Sequence, residues 1–203
     1  ATRTLLTTNA GFSGNALAEM FCSELTRFQG FELIRTEELM RACREEKLDL
    51  SGGPEVYLKL ARKLGASVVA VGAITEYTPY YPPRVVLGLA VYLVAPRGTQ
   101  RDLLSLEQQG RPFPLFREDP RKPFFGMEKM YDASERDTRG ALTAYSLLRF
   151  DTADRAAQDE LFLYEPDSFL RFVMNQSVRE WLTAAAAWKK REAAAPPAPE
   201  PAR

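Results

Sequence analysis

Two long apolar segments joined by a proline-rich connection constrain the fold of this chain more than any other feature. The segment Ser67 to Tyr77 is continuously apolar in its first half, which is typical of a central strand covered on both faces. A second apolar segment runs from Arg84 to Val94. The connection Thr78 to Pro83 contains three prolines, which cannot lie inside a sheet ladder. The two segments are therefore predicted to form an antiparallel hairpin with an extended tip.

Shorter strands and amphipathic helices are predicted around this hairpin. The composition typical of strands is found at Arg3 to Thr8, Phe31 to Ile34, Leu103 to Gln109 and Gly126 to Asp132. The secondary structure of Phe150 to Leu163 is left open, with a partly helical segment as one interpretation. Apolar side chains at spacings of three and four predict helices elsewhere. These helices are Ser13 to Gln29 with Gly30 as its C-cap, Thr36 to Lys47 with Thr36 as its N-cap, Pro54 to Leu64 before Gly65, a helix opened by a capping box at Ser134 to Asp137, and a long helix from Pro166.

These elements predict a single α/β (α+β) domain over residues 1–192, a three-layer-like mixed sheet of about 4–6 strands flanked by helices. Its core spans residues 3–109, an irregular insertion spans 110–125, and a closing strand and helices, the last one long, span 126–192. Residues 193–203 are rich in Pro and Ala, and we expect a disordered tail there because this stretch has nothing to bury.

The charge balance and the histidine content exclude several classes of function. Lys plus Arg and Asp plus Glu both total 27, and a formal net charge of zero argues against nucleic-acid binding and against a polybasic membrane-surface protein. The chain has no histidine, which excludes Ser-His-Asp and Cys-His catalysis and most zinc sites. No catalytic residue, cofactor or metal ligand is therefore predicted. An enzyme using carboxylates is left open as an alternative, with candidates Glu37, Glu38, Glu45, Glu46, Asp132, Asp151 and Asp154.

The two cysteines and the chain start bear on the compartment. Cys22 and Cys43 are interpreted as small buried side chains on helices, with a disulfide between them as the alternative. No apolar run approaches the roughly 18 to 20 residues of a membrane-spanning helix. No signal peptide is recognisable before Arg3 and a starting Met is lacking, so a removed signal or lipid anchor is left open.

Three segments of the sequence together resemble a known domain. They are Gly30 to Leu39, Arg62 to Tyr77, and Val85 to Val94 followed by Gly98. This pattern resembles the domain shared by the curli-secretion-pore lipoprotein CsgG, the penicillin-binding-protein activator LpoB, and the amino-terminal domain of TolB-like proteins. The resemblance covers about residues 3 to 109. The phrase Glu76 to Arg84 is also similar to uncharacterised envelope lipoproteins of planctomycete-type bacteria.

The resemblance implies both a topology and a cellular setting. It implies an anticodon-binding-domain-like topology, and a place in the periplasm or on the inner leaflet of the outer membrane of a Gram-negative-type bacterium. It implies envelope proteins as partners, with a homo-oligomeric ring or secretion-pore subunit as the alternative. Because no pair of long alternating strands suited to membrane hairpins is recognisable in the sequence, membrane association is expected only through a lipid anchor.

The hairpin tip is the predicted site of partner contact. Rigid tyrosine side chains and arginine are enriched at interface hot spots. The alternative is a stiff loop that packs its own rings on the domain. The predicted contact residues are Tyr77, Tyr80, Tyr81, Pro82, Pro83 and Arg84.

Two other segments give weaker indications of binding. Gly110 to Phe125, with four phenylalanines, is predicted to wrap the core, with partner contact as its alternative. Asn9 to Gly14 is predicted to be an ordinary connection rather than an anion-binding loop. The sequence as a whole therefore favours a non-catalytic interaction or assembly module of the cell envelope, without a cofactor.

Overall fold

The computed structural model describes residues 2–8, 14–49, 52–94, 122–149 and 155–194, and within them the chain alternates between strands and helices. The strands are β1 (Thr2–Thr8), β2 (Phe31–Leu33), β3 (Val68–Thr78), β4 (Arg84–Leu93) and β5 (Phe125–Asp132). The helices are α1 (Gly14–Leu25), α2 (Thr36–Glu46), α3 (Pro54–Leu64), α4 (Arg136–Arg149), α5 (Arg155–Tyr164) and α6 (Pro166–Ala194).

The strands form one mixed sheet in the order β2-β1-β3-β4-β5. β1 pairs in parallel with both β2 and β3, whereas the β3–β4 and β4–β5 pairs are antiparallel. The parallel pairs need helical crossovers, which α1, α2 and α3 supply, and the antiparallel half is built from consecutive strands. The predicted fold class is confirmed: a mixed sheet is flanked by helices, and a long helix ends the described chain.

β3 and β4 form the predicted antiparallel hairpin along their whole length. A bulge between Ile74 and Glu76 inserts one extra residue into β3. Because neighbouring side chains of a strand point to opposite faces, this insertion exchanges the faces for the residues that follow. Tyr77 therefore contacts the same core as Ile74, and the tip is re-aimed relative to the base of the hairpin.

Hydrophobic side chains cover the sheet on both faces. Val68 and Ala70 point to one face, and Val69 between them points to the other. α1, α4, α5 and α6 pack on the first face, and this four-helix core includes Phe21, Leu25, Leu142, Phe162, Phe169, Phe172 and Trp181. α2 and α3 pack on the second face, and this two-helix core includes Leu39, Cys43, Tyr57, Leu60 and Ala61.

The long helix α6 crosses the first face of the sheet from the hairpin tip to the opposite edge. Its first residue, Pro166, suits the start of a helix because the missing N–H would have no partner there. Near its middle, the Trp181 ring lies 5.5 Å from the Phe31 ring on the edge strand β2 (ring centroids). The helix continues beyond Trp181 to Ala194.

The end of α1 differs from the sequence-based prediction. α1 ends at Leu25, whereas the apolar spacing predicted a helix to Gln29. The backbone N–H groups of Arg27 and Phe28 bond to carbonyls three residues earlier, which tightens the chain out of the α-helical pattern. Gly30, with φ of 97°, lies beyond this turn rather than at the helix C-cap.

Two predicted helix caps are also wrong. Arg35, not Thr36, is the N-cap residue of α2, and no side chain caps that helix. The predicted capping box at Ser134 does not form, because its hydroxyl donates to the carboxylate of Asp132 at 2.6 Å. The following helix begins two residues later, at Arg136.

Some predictions concern residues outside the described ranges. These are the strand at 103–109, the insertion up to residue 121, most of the 9–14 connection, the acids Asp151 and Asp154, and the tail from residue 195. The segment 150–163 forms α5 from Arg155 onward. Within the described residues, no helix combines the length and the apolar character needed to cross a bilayer.

Candidate functional site

The hairpin tip places an aromatic surface at one end of the molecule. Tyr80 is 80% exposed and Tyr81 is 50% exposed, and the Tyr81–Pro82 peptide bond is cis. Tyrosines are seldom this exposed in an isolated domain, because each buries a large apolar ring when it can. The two rings are therefore available for contact with another molecule.

A third tyrosine from a distant part of the chain joins this surface. Tyr164, the last residue of α5, stacks on Tyr81 with ring centroids 5.0 Å apart and an interplanar angle of 18°. Tyr164 is itself 64% exposed, and Leu161, one turn earlier on α5, is 48% exposed. We call Tyr80, Tyr81 and Tyr164 the tip surface.

Hydrogen bonds hold Tyr81 of the tip surface in place. Arg139 of α4 donates from Nη2 to the Tyr81 hydroxyl at 3.0 Å. The same guanidinium donates from Nε to the Ala133 carbonyl at 2.7 Å, which fixes its orientation. Because Tyr81 is stacked on one ring and bonded to one cation, it has little rotamer freedom left to lose when a partner binds.

The base of the tip is anchored by a buried carboxylate. Arg84 donates from Nε and Nη2 to Asp132 Oδ2 at 2.8 and 2.7 Å. The Ser134 hydroxyl and backbone N–H donate to the other oxygen at 2.6 and 2.8 Å. The bonds from Ser134, together with those from Arg84, hold the pKa of Asp132 below its ordinary value. Both carboxylate oxygens accept hydrogen bonds from the protein, which gives Asp132 a structural role at the base of the tip.

The six predicted contact residues divide between surface and core. Tyr80, Tyr81, Pro82 and Arg84 are exposed. Pro83 is buried, and its carbonyl accepts a hydrogen bond from the Ala133 N–H at 3.0 Å. Tyr77 is half-buried against the four-helix core, and burial, with nearby Asp167, raises the pKa of its hydroxyl.

Sequence reasoning missed the two residues that complete the surface, Tyr164 and Arg139. Both lie on helices far from the tip in the sequence, and α5 falls in the segment whose secondary structure was left open. A signal was present in the polar and aromatic residues at the ends of these helices, but only the packed structure shows where they meet Tyr81.

The catalytic candidates among the carboxylates that the structure describes are hydrogen-bonded, paired with cations or placed beside arginines. Glu45 and Glu46 of α2 both pair with Lys63 of α3, at 3.1 and 2.9 Å. Glu37 and Glu38 line a shallow cavity beside Arg35 and Arg41, so the charges of that cavity are balanced. Among the residues that the structure describes, no group of His, Cys, Asp or Glu could hold a metal ion.

One fully buried carboxylate was not singled out from the sequence. Glu24 of α1 is 0% exposed. Its Oε1 accepts a hydrogen bond from the Tyr145 hydroxyl at 3.1 Å and pairs with the Arg149 guanidinium, and its Oε2 accepts one from Asn175 Nδ2 at 3.0 Å. The four side chains join α1, α4 and α6, and this polar cluster lies inside the four-helix core.

Cys22 and Cys43 are both free thiols. Cys22 is half-buried against the four-helix core, whereas Cys43 is buried in the two-helix core. They lie on opposite sides of the sheet, so the alternative of a disulfide between them is wrong.

No model of a known protein family matches this chain. A search of curated proteins also finds no match. Solved structures are similar in part. The LpoB C-terminal domain from Salmonella enterica matches with a TM-score of 0.42 and 15% identity over 64% of this chain and 81% of that one.

Two further structures are similar over more of the chain. Lipoprotein GNA1162 from Neisseria meningitidis has a TM-score of 0.44 and 10% identity over 75% of this chain and 99% of its own. Hypothetical protein CT253 from Chlamydia trachomatis has a TM-score of 0.45 and 9% identity over 89% and 95% of the two chains. Likeness at this level assigns neither a family nor an activity to the chain. The resemblance to CsgG and to planctomycete-type lipoproteins stays a prediction.

Proposed function

We propose that this chain is a non-catalytic protein-interaction or assembly module of a bacterial cell envelope, and that it contacts its partner through the tip surface. The observation that carries the proposal is the exposed group of Tyr80, Tyr81 and Tyr164 at one end of the sheet, in which Tyr81 is held by ring stacking and a hydrogen bond. Tyrosine gives a large amphipathic contact area at a low entropy cost, which is why it dominates interface hot spots.

Several features support a binding role over a catalytic one. The chain has no histidine. The buried acids Glu24 and Asp132 have their oxygens occupied by donors from the protein itself. A general acid or base must reach the substrate atom with which it exchanges a proton, and these buried carboxylates are hydrogen-bonded within the protein instead. The tip surface, in contrast, has exposed aromatic side chains.

The envelope setting of the proposal comes from the sequence resemblance to the CsgG, LpoB and TolB-like domain. In this proposal the protein lies in the periplasm or at the inner leaflet of the outer membrane, and its partner is an envelope protein. In this proposal membrane association is through a lipid anchor, since a formal net charge of zero gives the chain no overall attraction to anionic lipid.

The proposal is tested by quantitative capture with matched surface variants. The tagged full chain is used as bait in separate envelope and cytoplasmic extracts of the source bacterium, alongside Tyr80→Ala and Tyr81→Ala. Met130→Ala is the control, because Met130 is also an exposed apolar residue but lies on β5, opposite Val86, and is not part of the tip surface. We expect a protein from the envelope extract to bind wild type and Met130→Ala equally and to bind Tyr80→Ala at least about fivefold less.

Two results contradict the proposal. One is the absence of any protein enriched by the wild-type bait. The other is a partner that the tip variants retain as well as the wild type does. All variants must first show the far-ultraviolet circular dichroism spectrum of the wild type. Tyr80→Ala is the decisive variant because a side chain this exposed contributes little to the fold.

A further inference from the structure

The sequence that follows α6 has the composition of a ligand for an aromatic surface. Residues 196–201 read Pro-Pro-Ala-Pro-Glu-Pro, directly beyond the end of α6 at Ala194. Prolines at 196 and 199 have the spacing of one turn of a polyproline II helix, about 9.3 Å along its axis. Such segments bind grooves lined by aromatic rings, because little conformational entropy is lost when they dock.

The tip surface has the matching chemistry. Proline-rich ligands pack on the exposed faces of aromatic side chains. Here the Tyr81 and Tyr164 rings are 5.0 Å apart and stacked, and Tyr80 precedes Tyr81 in the chain and is the most exposed ring of the three. Leu161 extends the apolar area by one helical turn.

The charges of the two segments are complementary. Glu200 lies between Pro199 and Pro201, so a bound proline segment would present a carboxylate. Arg139, which bonds the Tyr81 hydroxyl, is an exposed cation beside the tip, whereas Arg84 at the start of β4 is already paired with Asp132. An arginine at the edge of an aromatic surface can pair with a carboxylate and fix the direction in which the ligand binds.

The proline segment cannot reach the tip surface of its own molecule. Tyr164 lies at one end of α6, and the 29 residues of the helix carry the chain about 42 Å away from it. Pro201 is seven residues beyond Ala194, and seven extended residues span at most about 25 Å. A proline segment of this sequence can therefore contact the tip surface only between two molecules.

We propose that the tip surface binds residues 196–201 of a second copy of this chain, so that the copies associate head to tail. This inference rests on the proposed function, because it names the occupant of the same surface. A contact between two different patches of the same chain can repeat, and it closes into a ring or extends into a filament.

The test compares self-association of the full chain and its variants by sedimentation velocity over a concentration series. Tyr80→Ala removes a ring from the tip surface, and the double variant Pro196→Ala, Pro199→Ala removes the proline spacing from the tail. We expect wild type and the Met130→Ala control to associate equally. Each of the two test variants should weaken association at least about fivefold.

A mixing experiment distinguishes head-to-tail binding from other modes. Tyr80→Ala keeps an intact tail, and the proline variant keeps an intact tip surface. An equimolar mixture of the two should form dimers but no larger species, because only one productive contact remains. A fluorescent peptide with the sequence of residues 193–203 should bind wild type and not Tyr80→Ala.

The inference is overturned if association is unchanged in both variants, or if neither association nor peptide binding occurs up to about 1 mM. Peptide binding without self-association would also overturn it and would favour a proline-rich segment of another protein as the occupant. If self-association fails while capture of an envelope protein still depends on Tyr80, the proposed function stands alone. If that capture is also insensitive to Tyr80, both proposals fall.

Discussion

At the scale of single residues, the buried Glu24 is the most demanding feature of this molecule. A carboxylate with no solvent exposure keeps its charge only if partners replace its hydration. Arg149 supplies the countercharge, and Tyr145 and Asn175 supply hydrogen bonds, so both oxygens are satisfied. Burial, with nearby Arg171, lowers the pKa of Arg149, and burial raises the pKa of Tyr145 to about 12. The cluster therefore orders three helices at a cost in desolvation that its own bonds must offset.

Replacing this carboxylate should therefore lower the free energy of unfolding. Glu24→Gln keeps the shape of the side chain but leaves the mostly buried Arg149 cation without its counterion. We expect a loss of about 3 kcal/mol in the free energy of unfolding, measured from the urea midpoint at constant slope. Arg27→Ala is the control, because Arg27 contacts the same carboxylate at 3.7 Å from a half-exposed position and should cost less than about 1 kcal/mol. Equal effects of the two variants would show that the buried pair has no special weight.

The position of Glu24 also shows what the sequence could not reveal. Helical spacing correctly placed Phe21 and Leu25 on the inner side of α1, but a glutamate beside them would ordinarily be assigned to solvent. Its burial depends on Arg149 and Asn175, which come from helices near the other end of the chain. Contacts of this kind arise from the packing of α4 and α6 and leave no local pattern in the sequence.

At the scale of elements, the sequence predicted a helix end best where a glycine takes up the left-handed backbone conformation. Gly65 was predicted to end α3, and it has a φ of 68°, in the left-handed region that favours glycine. The N–H groups of Gly65 and Ala66 bond to carbonyls of the last turn. Side-chain caps were harder to predict, because a serine or threonine near the start of a helix can form hydrogen bonds with other groups. The Ser134 hydroxyl donates to Asp132, two residues earlier, instead of capping the helix.

The same substitution at two glycines should therefore have opposite effects. Gly65→Ala forces a β-carbon into the left-handed conformation and should destabilise the protein by about 1 kcal/mol. Gly140 lies exposed within α4, where an added β-carbon would meet nothing within 4 Å. Gly140→Ala should stabilise the protein by about 0.5 to 1 kcal/mol, since alanine is the better helix former. Urea unfolding of both variants gives the comparison, and two changes of the same sign would contradict it.

At the scale of the whole molecule, the fold follows from one sheet that is covered on two faces. The continuous apolar run at the start of β3 predicted this, because Val68, Val69 and Ala70 can all be buried only if both faces are covered. The observed mixed sheet of five strands also agrees with the predicted fold class. The tip surface could be predicted only in part. Its β3–β4 half was visible as a run of tyrosines and prolines, whereas Tyr164 reaches it through the packing of α5 against α4 and α6.

The two free cysteines report on the two faces separately. Cys22 contacts the four-helix core and Cys43 lies in the two-helix core. Burial, with nearby Glu19, raises the pKa of Cys22 to about 11, and burial also raises the pKa of Cys43. Because the thiolate is the reactive form, both should react slowly with a disulfide reagent at pH 8 in the native protein, and two equivalents should react after unfolding.

The dependence of this labelling on urea tests whether the two faces unfold together. Cys22→Ala and Cys43→Ala each leave one thiol as the reporter. β3 contributes adjacent residues to both cores, so losing the helices of one face would expose apolar strand surface without releasing the other. We therefore expect each reporter to become reactive at the urea midpoint that circular dichroism gives for the same variant. After correction for the stability of each variant, the two urea concentrations should agree. If Cys43 became reactive well before the circular dichroism midpoint while Cys22 stayed protected, α2 and α3 would form a separate unit that opens on its own.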